Sequence, residues 1–240
     1  FENCINSLKA FCNEIIVMDG GSTDGTLERL QELAKEDERV KVYVHEVDWQ
    51  AKRFAVEDGL QKARARAKCT GEFCWQMDSD EEVNQQTINE IIKLCRQFPK
   101  FVDLVSLPVI EYWGSTNKIR IDVNPWKWRL SRNKPHITHG IPKELRLNDN
   151  EGNLYSSPGT DGCDYIHAET FERLPHASFY TNEIHVLRIK AMQGDKEALK
   201  TYEGGFNRLV NVMPSIKHYS WLDIERKIKT YKNYWQQHWE

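Results

Sequence analysis

The sequence predicts an α/β domain built on a largely parallel sheet, and three observations carry that expectation. Short apolar runs of strand length alternate with helical patterns through the first half of the chain. The first of these runs is continuous rather than alternating, as a strand buried on both faces requires. Two of the runs pass directly into acidic loops, at the strand ends where open α/β sheets bind their ligands.

In chain order, "EIIVM" at 14–18 predicts the buried strand, and "LERLQELAKED" a helix with Leu27, Leu30 and Leu33 on one face. "VKVYV" at 40–44 reads as a strand. "AVEDGLQKARARAK" reads as a helix whose stripe is Val56, Leu60, Ala63 and Ala67. "EFCWQM" at 72–77 predicts a third strand. "TINEIIKLC" predicts a helix turning Ile88, Ile91, Ile92 and Cys95 inward, and "FVDLVSLPVI" another strand. From Tyr112 to about Leu147 the pattern changes to short β-like pieces rich in Trp and Arg. Residues 148–162 carry turn residues throughout and predict a loop. Residues 182–194 and 222–239 predict helices, the second with Ile224, Ile228, Tyr231 and Trp235 on one face.

With 240 residues, 40% of them hydrophobic and 29% charged, the chain can bury one sizeable core, or one domain plus an appendage. A formal net charge of -3 leaves no electrostatic footprint for nucleic acid. No apolar run approaches the roughly 20 residues of a membrane-spanning helix. The six cysteines (Cys4, Cys12, Cys69, Cys74, Cys95, Cys163) show no metal-type C-x-x-C pairing, which predicts a reduced, cytoplasmic setting.

Chemistry concentrates in two acidic loops. In "NEIIVMDGGSTDGT" Asp19 follows the strand, Gly20 and Gly21 permit a tight turn, and Ser22 or Thr23 can cap the next helix. A plain strand-to-helix turn explains that much equally well. Asp19 and Asp24, however, would repel a pyrophosphate, while they suit ribose hydroxyls or a base N–H. The loop therefore reads as a nucleoside clamp. In "CWQMDSDEE" a strand runs into Asp78-Ser79-Asp80. If the chain stays extended, its period of two sets both carboxylates on one face, where they can hold a hard divalent cation. Two surface acids in a turn before a helix are the plainer account of the D-x-D by itself.

Taken together, "NEIIVMDGGSTDGT" and "WQMDSDEE" resemble family 2 glycosyltransferases of the GT-A fold, closely over 1–82 and more loosely through Glu144. The resemblance implies a Rossmann-like nucleotide-sugar-binding mixed sheet flanked by helices, with a C-terminal helical extension. It also implies an enzyme that transfers a sugar with inversion from a nucleotide-sugar donor (UDP-, GDP- or dTDP-linked) to an acceptor hydroxyl. Carried over, Asp19, Gly21, Ser22 and Asp24 belong to the nucleoside loop. Asp78 lies near ribose and metal, and Asp80 is the principal ligand of a Mn2+ or Mg2+ ion. Arg53 falls where similar enzymes have an "RN" pair, with Phe54 here replacing the Asn, and is expected to contact the donor.

Inverting transfer needs a general base for the acceptor hydroxyl. "RLSRNKPHITHGIPKELR" resembles the family's "RLFR…HE.L" stretch, which makes Glu144 the leading catalytic candidate although Pro142 stands where the family has His. Asp122, Asp161 and Asp164 are reserves. "IKHYSW" resembles "HY.Y" and offers His218 as a late metal ligand, with His167 in "CDYIHAE" as the alternative. The resemblance implies a donor-binding half at 1–111, an acceptor-binding half at 112–220 and an amphipathic helix at 221–240. The family's first strand has no counterpart, so residues preceding Phe1 are expected.

Tyr112, Trp113, Trp126 and Trp128 are either a platform for a sugar ring or filling for a small core. The last helix, with Trp221, Trp235 and Trp239, reads first as a packing face and second as a peripheral membrane contact. The acceptor class, whether glycan, lipid-linked saccharide, peptide or small molecule, stays open. The competing reading is a non-catalytic nucleotide-sugar-binding module acting in an assembly. A phosphatase is disfavoured by Glu81 and Glu82 beside Asp80, and a nucleotidyltransferase by the lack of a lysine-rich triphosphate loop.

Overall fold

The computed structural model describes residues 1–48, 54–98, 100, 102–120, 126–134, 137, 171–173, 186–211 and 214–235. Its elements are α1 (Glu2–Lys9), β1 (Ile15–Asp19), α2 (Thr26–Glu36), β2 (Val40–Val44), α3 (Phe54–Ala67), β3 (Phe73–Trp75), β4 (Glu81–Val83), α4 (Gln85–Arg96), β5 (Leu104–Glu111), β6 (Trp126–Arg132), β7 (Phe171–Arg173), α5 (186–192), α6 (Lys196–Asn211), β8 (Ile216–His218) and α7 (Ile224–Thr230). A π-helical stretch, Tyr231–Trp235, continues from α7. The class is the predicted mixed α/β one, with helical structure at the C-terminal end. Contacts divide the chain into two compact units, one of Phe1–Phe11, Met77–Leu130 and Thr170–Lys227, the other of Cys12–Gln76, Ser131–Glu169 and Ile228–Glu240.

In the second unit β1 pairs in parallel with β2, from Ile15 opposite Val40 to Asp19 opposite Val44. Helix α2 packs on β2 and α3 on β1. The α2 stripe buries Leu30 and Leu33, and Leu27 is half-buried. The α3 stripe is not the predicted one: Gly59 and Gln61 are buried while Ala67 is exposed. A glutamine is tolerated inside because its Nε2 donates to the His45 carbonyl at 2.8 Å, leaving that donor satisfied. Just before β1, the Glu14 carboxylate accepts from the Thr70 amide, from Thr70 Oγ1 at 2.9 Å and from the Gly71 amide at 3.1 Å, and Lys41 Nζ lies 3.1 Å from its other oxygen. β3 spans only Phe73–Trp75, shorter than the predicted 72–77.

In the first unit the strand order is β6-β5-β8-β4, with β7 also paired to β5. All eight residues of β5, "LVSLPVIE", are buried, which its apolar run predicts. β8 runs parallel to β5, setting Glu111 opposite His218, and antiparallel to β4, setting Glu81 opposite the same His218. Helix α4 starts at the N-cap Asn84, whose side chain accepts from the Thr87 amide at 2.8 Å, and buries Ile88 and Ile91. Ile92 and Cys95 are only half-buried. The helix predicted at 182–194 is described over 186–192, and α6 follows it unpredicted. Helix α7 buries no residue; Ile228 and Tyr231, expected on an inward face, are exposed. Among the described residues no helix is long and apolar enough to cross a membrane.

Candidate functional site

The first acidic loop is shaped by its own aspartate. Asp19 ends β1 almost fully buried. Its Oδ1 accepts from the Gly21 amide at 2.9 Å and the Ser22 amide at 2.8 Å, and its Oδ2 accepts from Ser22 Oγ at 2.7 Å. A carboxylate offers about four acceptor positions, so the loop itself uses most of them. Gly21 has φ +92°, and a Cβ there would stand 3.3 Å from Glu46 Cγ. With its hydroxyl given to Asp19, Ser22 does not cap α2, and neither does Thr23. The N-cap is Gly25, at φ 90°, and Asp24 Oδ1 accepts from the Thr26 amide at 3.1 Å. Asp24 and Thr23 are exposed at the loop's outer side.

The second loop does not stay extended. β3 ends at Trp75, and the Glu81 amide donates to the Asp78 carbonyl at 3.0 Å, so Asp78–Glu81 is a turn. The shared face inferred from a period of two is thereby corrected, because a turn aims the two carboxylates at different partners. Asp78 Oδ2 faces Arg129 Nη2 at 3.5 Å, and Asp80 Oδ1 faces His218 Nε2 at 3.3 Å. Behind them Glu81, with no exposed side chain, receives Arg129 Nη2 at 2.5 Å and accepts from the Asp78 amide at 3.2 Å. Burial pushes the Glu81 carboxyl up, against the opposing charge of Arg129. Three further bonds fix the turn: the Cys4 thiol donates to the Asp78 carbonyl, the Tyr219 amide to the Asp80 carbonyl, and the Tyr219 hydroxyl to Glu82 at 2.8 Å.

His218 stands at the end of β8, between two in-register acids. Its burial disfavours a charged ring, yet the hydrogen bond to Asp80 and the nearby Glu111 outweigh that and push its pKa up to about 10. Burial likewise disfavours charge on Asp80, and the His218 partner still holds that carboxyl below the usual range. On the other side of the ring, Nδ1 lies 3.8 Å from Glu111 Oε1, beyond hydrogen-bond reach, and has no hydrogen-bond partner among the described residues.

Among the described residues no group of three or more His, Cys, Asp or Glu is arranged to hold a metal ion. Two protein donors are nonetheless the usual share when ligand phosphates and water complete the shell. Donors about 2.1 Å from one ion and at right angles stand about 3 Å apart, close to the 3.3 Å between Asp80 Oδ1 and His218 Nε2. The residues present fit such an ion.

Arg53, Glu144 and His167, together with Asp122, Asp161 and Asp164, lie outside the described residues. Of the aromatic group, Tyr112 is core, 2% exposed and packed against Tyr219 with ring centroids 5.3 Å apart. Trp113 is exposed and stacks on Trp221 at 5.0 Å. Sequence reasoning passed over Glu111 and Arg129 and used Glu81 only as an argument against a phosphatase. Glu111 carries the same signal that marks Asp19, an acid closing an apolar strand, although β5 is buried throughout while in β1 only Ile15 and Asp19 are, which corrects the fully buried strand expected there. Arg129, a charge inside the strand-like "WKWRLSR", was the clue that a buried acid needed a partner.

The family described as "Glycosyl transferase family 2" matches residues 1–152. No curated protein matches the chain. Among solved structures, S. aureus TarS 1-349 in complex with UDP is 18% identical, with 87% of this chain and 67% of that one covered, at a TM-score of 0.42. The S. aureus TarS crystal structure is again 18% identical, with 88% and 41% covered and a TM-score of 0.38. Mannosyltransferase PcManGT from Pyrobaculum calidifontis, in complex with GDP-Man and Mn2+, is 14% identical, with 88% and 66% covered and a TM-score of 0.38.

Proposed function

Since the chain belongs to glycosyl transferase family 2 and is a glycosyltransferase, we propose that it is metal-dependent and inverting, and that its donor is a nucleoside-diphosphate sugar. The observation that carries the metal is the Asp80–His218 pair at 3.3 Å, beside Asp78 in a turn held from three sides. Asp80 and His218 hold the cation, and Asp78 serves both it and the ribose. Lewis-acid stabilisation of the departing nucleoside diphosphate is the chemistry such an ion supplies when bound.

Asp24, Gly21 and Ser22 contact the nucleoside, with Asp19 both shaping that loop and offering its remaining acceptor position. Arg53 takes the diphosphate. Glu144 accepts the proton of the acceptor hydroxyl as that oxygen forms its bond to the anomeric carbon, while the bond from that carbon to the phosphate oxygen breaks with inversion. Residues 1–111 then act as the donor half, 112–220 as the acceptor half and 221–240 as the helical appendage. A cytoplasmic setting goes with this reading, supported by the free thiols of Cys4, Cys69 and Cys74.

The test is thermal stabilisation by UDP, GDP and dTDP, each with Mn2+ and with EDTA, in the wild type and in Asp80→Ala. A ligand at about 100-fold its Kd adds roughly 2.7 kcal/mol. The expected result is a shift with one base, dependent on Mn2+ and lost in the variant. With the matching donor sugar, Asp80→Ala is expected to lose at least about 10²-fold in rate. Turnover within a few-fold of wild type in that variant would remove Asp80 from the mechanism, and stabilisation that ignores EDTA would remove the metal.

A further inference from the structure

We propose that Glu111 is the positioning residue of the metal site: it accepts the Nδ1 proton of His218 and so presents the Nε2 lone pair to the cation shared with Asp80. The inference rests on the metal reading above and adds to it the residue that orients the ligand. Metal-bound histidines almost always donate their second ring N–H to an outer acceptor, often a carboxylate, which fixes both tautomer and ring plane.

Here the topology supplies that acceptor. The parallel β5–β8 register sets Glu111 directly opposite His218, and in-register neighbours project from the same sheet face. Glu81, opposite His218 on the other side, is already committed to Arg129 and to the Asp78 amide. Glu111 Oε1 is 3.8 Å from Nδ1, and that nitrogen is buried without a hydrogen-bond partner among the described residues. A small rotation of the ring closes the gap. A buried N–H left without an acceptor is unfavourable, which favours closing that gap.

Glu111 is also held for this role. Its Oε2 is 3.3 Å from Arg120 Nη1, and the Arg120 guanidinium lies over the Trp221 ring at 4.6 Å. The Arg120 amide donates to the Glu111 carbonyl at 2.8 Å. One oxygen is therefore anchored, and the other is aimed at the imidazole. Neutral His218 with hydrogen on Nδ1 is the tautomer that leaves Nε2 free to coordinate.

The measurement is Mn2+ binding alone, read from loss of the free aqua-ion signal in electron paramagnetic resonance, for the wild type, Asp80→Ala, Glu111→Ala, Glu111→Gln and Arg120→Met. Circular dichroism and thermal unfolding establish that each variant is folded. Glu111→Ala is expected to weaken Mn2+ about 10- to 100-fold, the usual cost of removing an outer-shell partner. Glu111→Gln keeps a carbonyl oxygen for the Nδ1 proton and is expected to lose clearly less. Arg120→Met breaks the Arg120 anchor but leaves the carboxylate and is expected to stay within a few-fold of wild type.

Mn2+ affinity in Glu111→Ala within twofold of wild type, while Asp80→Ala abolishes binding, would overturn the role of Glu111 and leave the metal reading standing. Equal losses in Glu111→Gln and Glu111→Ala would also overturn it, because an acceptor for the Nδ1 proton would then make no difference. Should Asp80→Ala bind Mn2+ as the wild type does, the metal reading itself fails and takes this inference with it.

Discussion

Glu14 and Gly21 act within one short stretch of chain, and each carries a prediction that belongs to a single residue. Burial alone would raise the Glu14 carboxyl, but donors from Thr70, Lys41 and Gly71 favour its charged form and hold it down to about 2 from 4.5. A carboxyl depressed in the folded state stabilises the fold above its unfolded value, and that contribution is lost as pH falls from about 4.5 through about 2. Urea unfolding of wild type and Glu14→Gln from pH 2 to pH 7 is expected to show a constant gap above about pH 5 that closes toward pH 2. A gap independent of pH would assign the role of Glu14 to shape rather than charge. Gly21 and Gly25 both sit at positive φ, near 92° and 90°, but only Gly21 has a neighbour where a Cβ would stand. Gly25→Ala is expected to cost roughly 1–2 kcal/mol for its left-handed backbone alone. Gly21→Ala should cost more, by whatever Glu46 must yield. Equal costs would mean that Glu46 moves aside freely.

At the scale of elements, the D-x-D turn depends on a buried ion pair that neither flanking strand announces. Arg129 of β6 neutralises Glu81 of β4, with side-chain exposures of 5% and 0%. Breaking such a pair on one side typically costs roughly 3–5 kcal/mol, whereas replacing both members with apolar groups can be close to neutral. Arg129→Met is therefore expected to be strongly destabilising, and the double variant Arg129→Met/Glu81→Leu to recover much of the loss, as chemical denaturation would show. Additive losses would refute this account of the pair. The same scale explains which elements the sequence revealed. β1, β2, β5, α2 and α4 were legible because each is long enough for a period or a continuous apolar run to show. β4 and β8 have three residues each, too few for any period, and they exist because tertiary pairing holds them. The α3 stripe was misplaced because a buried Gln61 reads as surface until its carbonyl partner is known. Helix α6 contains Gly204 and Gly205, which weaken a helical reading, although Asp195, accepting from the amides of Glu197 and Ala198, marks its start.

Over the whole molecule, the acids that open the donor reading were legible because each pair directly follows an apolar run of strand length. The binding roles proposed for them were less so, because Asp19 spends most of its acceptors on its own loop and the D-x-D is a turn rather than a strand. Stability is distributed unevenly in the same way. β5 is buried along its full length, while Val186, Ile189 and Met192 of α5 are exposed. Amides of β5 are then expected to exchange only through global opening, and those of α5 through local fraying. A ligand that binds only the folded state slows global opening in proportion to 1 + [L]/Kd. Hydrogen exchange with Mn2+ and the stabilising nucleoside diphosphate at about 100-fold its Kd should therefore slow β5 amides about 100-fold and leave α5 nearly unchanged. Slowing confined to β1 and β2 would mean that the unit holding Asp19 opens on its own, with the nucleoside contacts carrying the binding energy. Slowing confined to β5 and β8 would place that energy on Asp80 and His218 instead. Equal slowing of β1, β2 and β5 would mean that the chain opens as one cooperative structure that the ligand stabilises throughout.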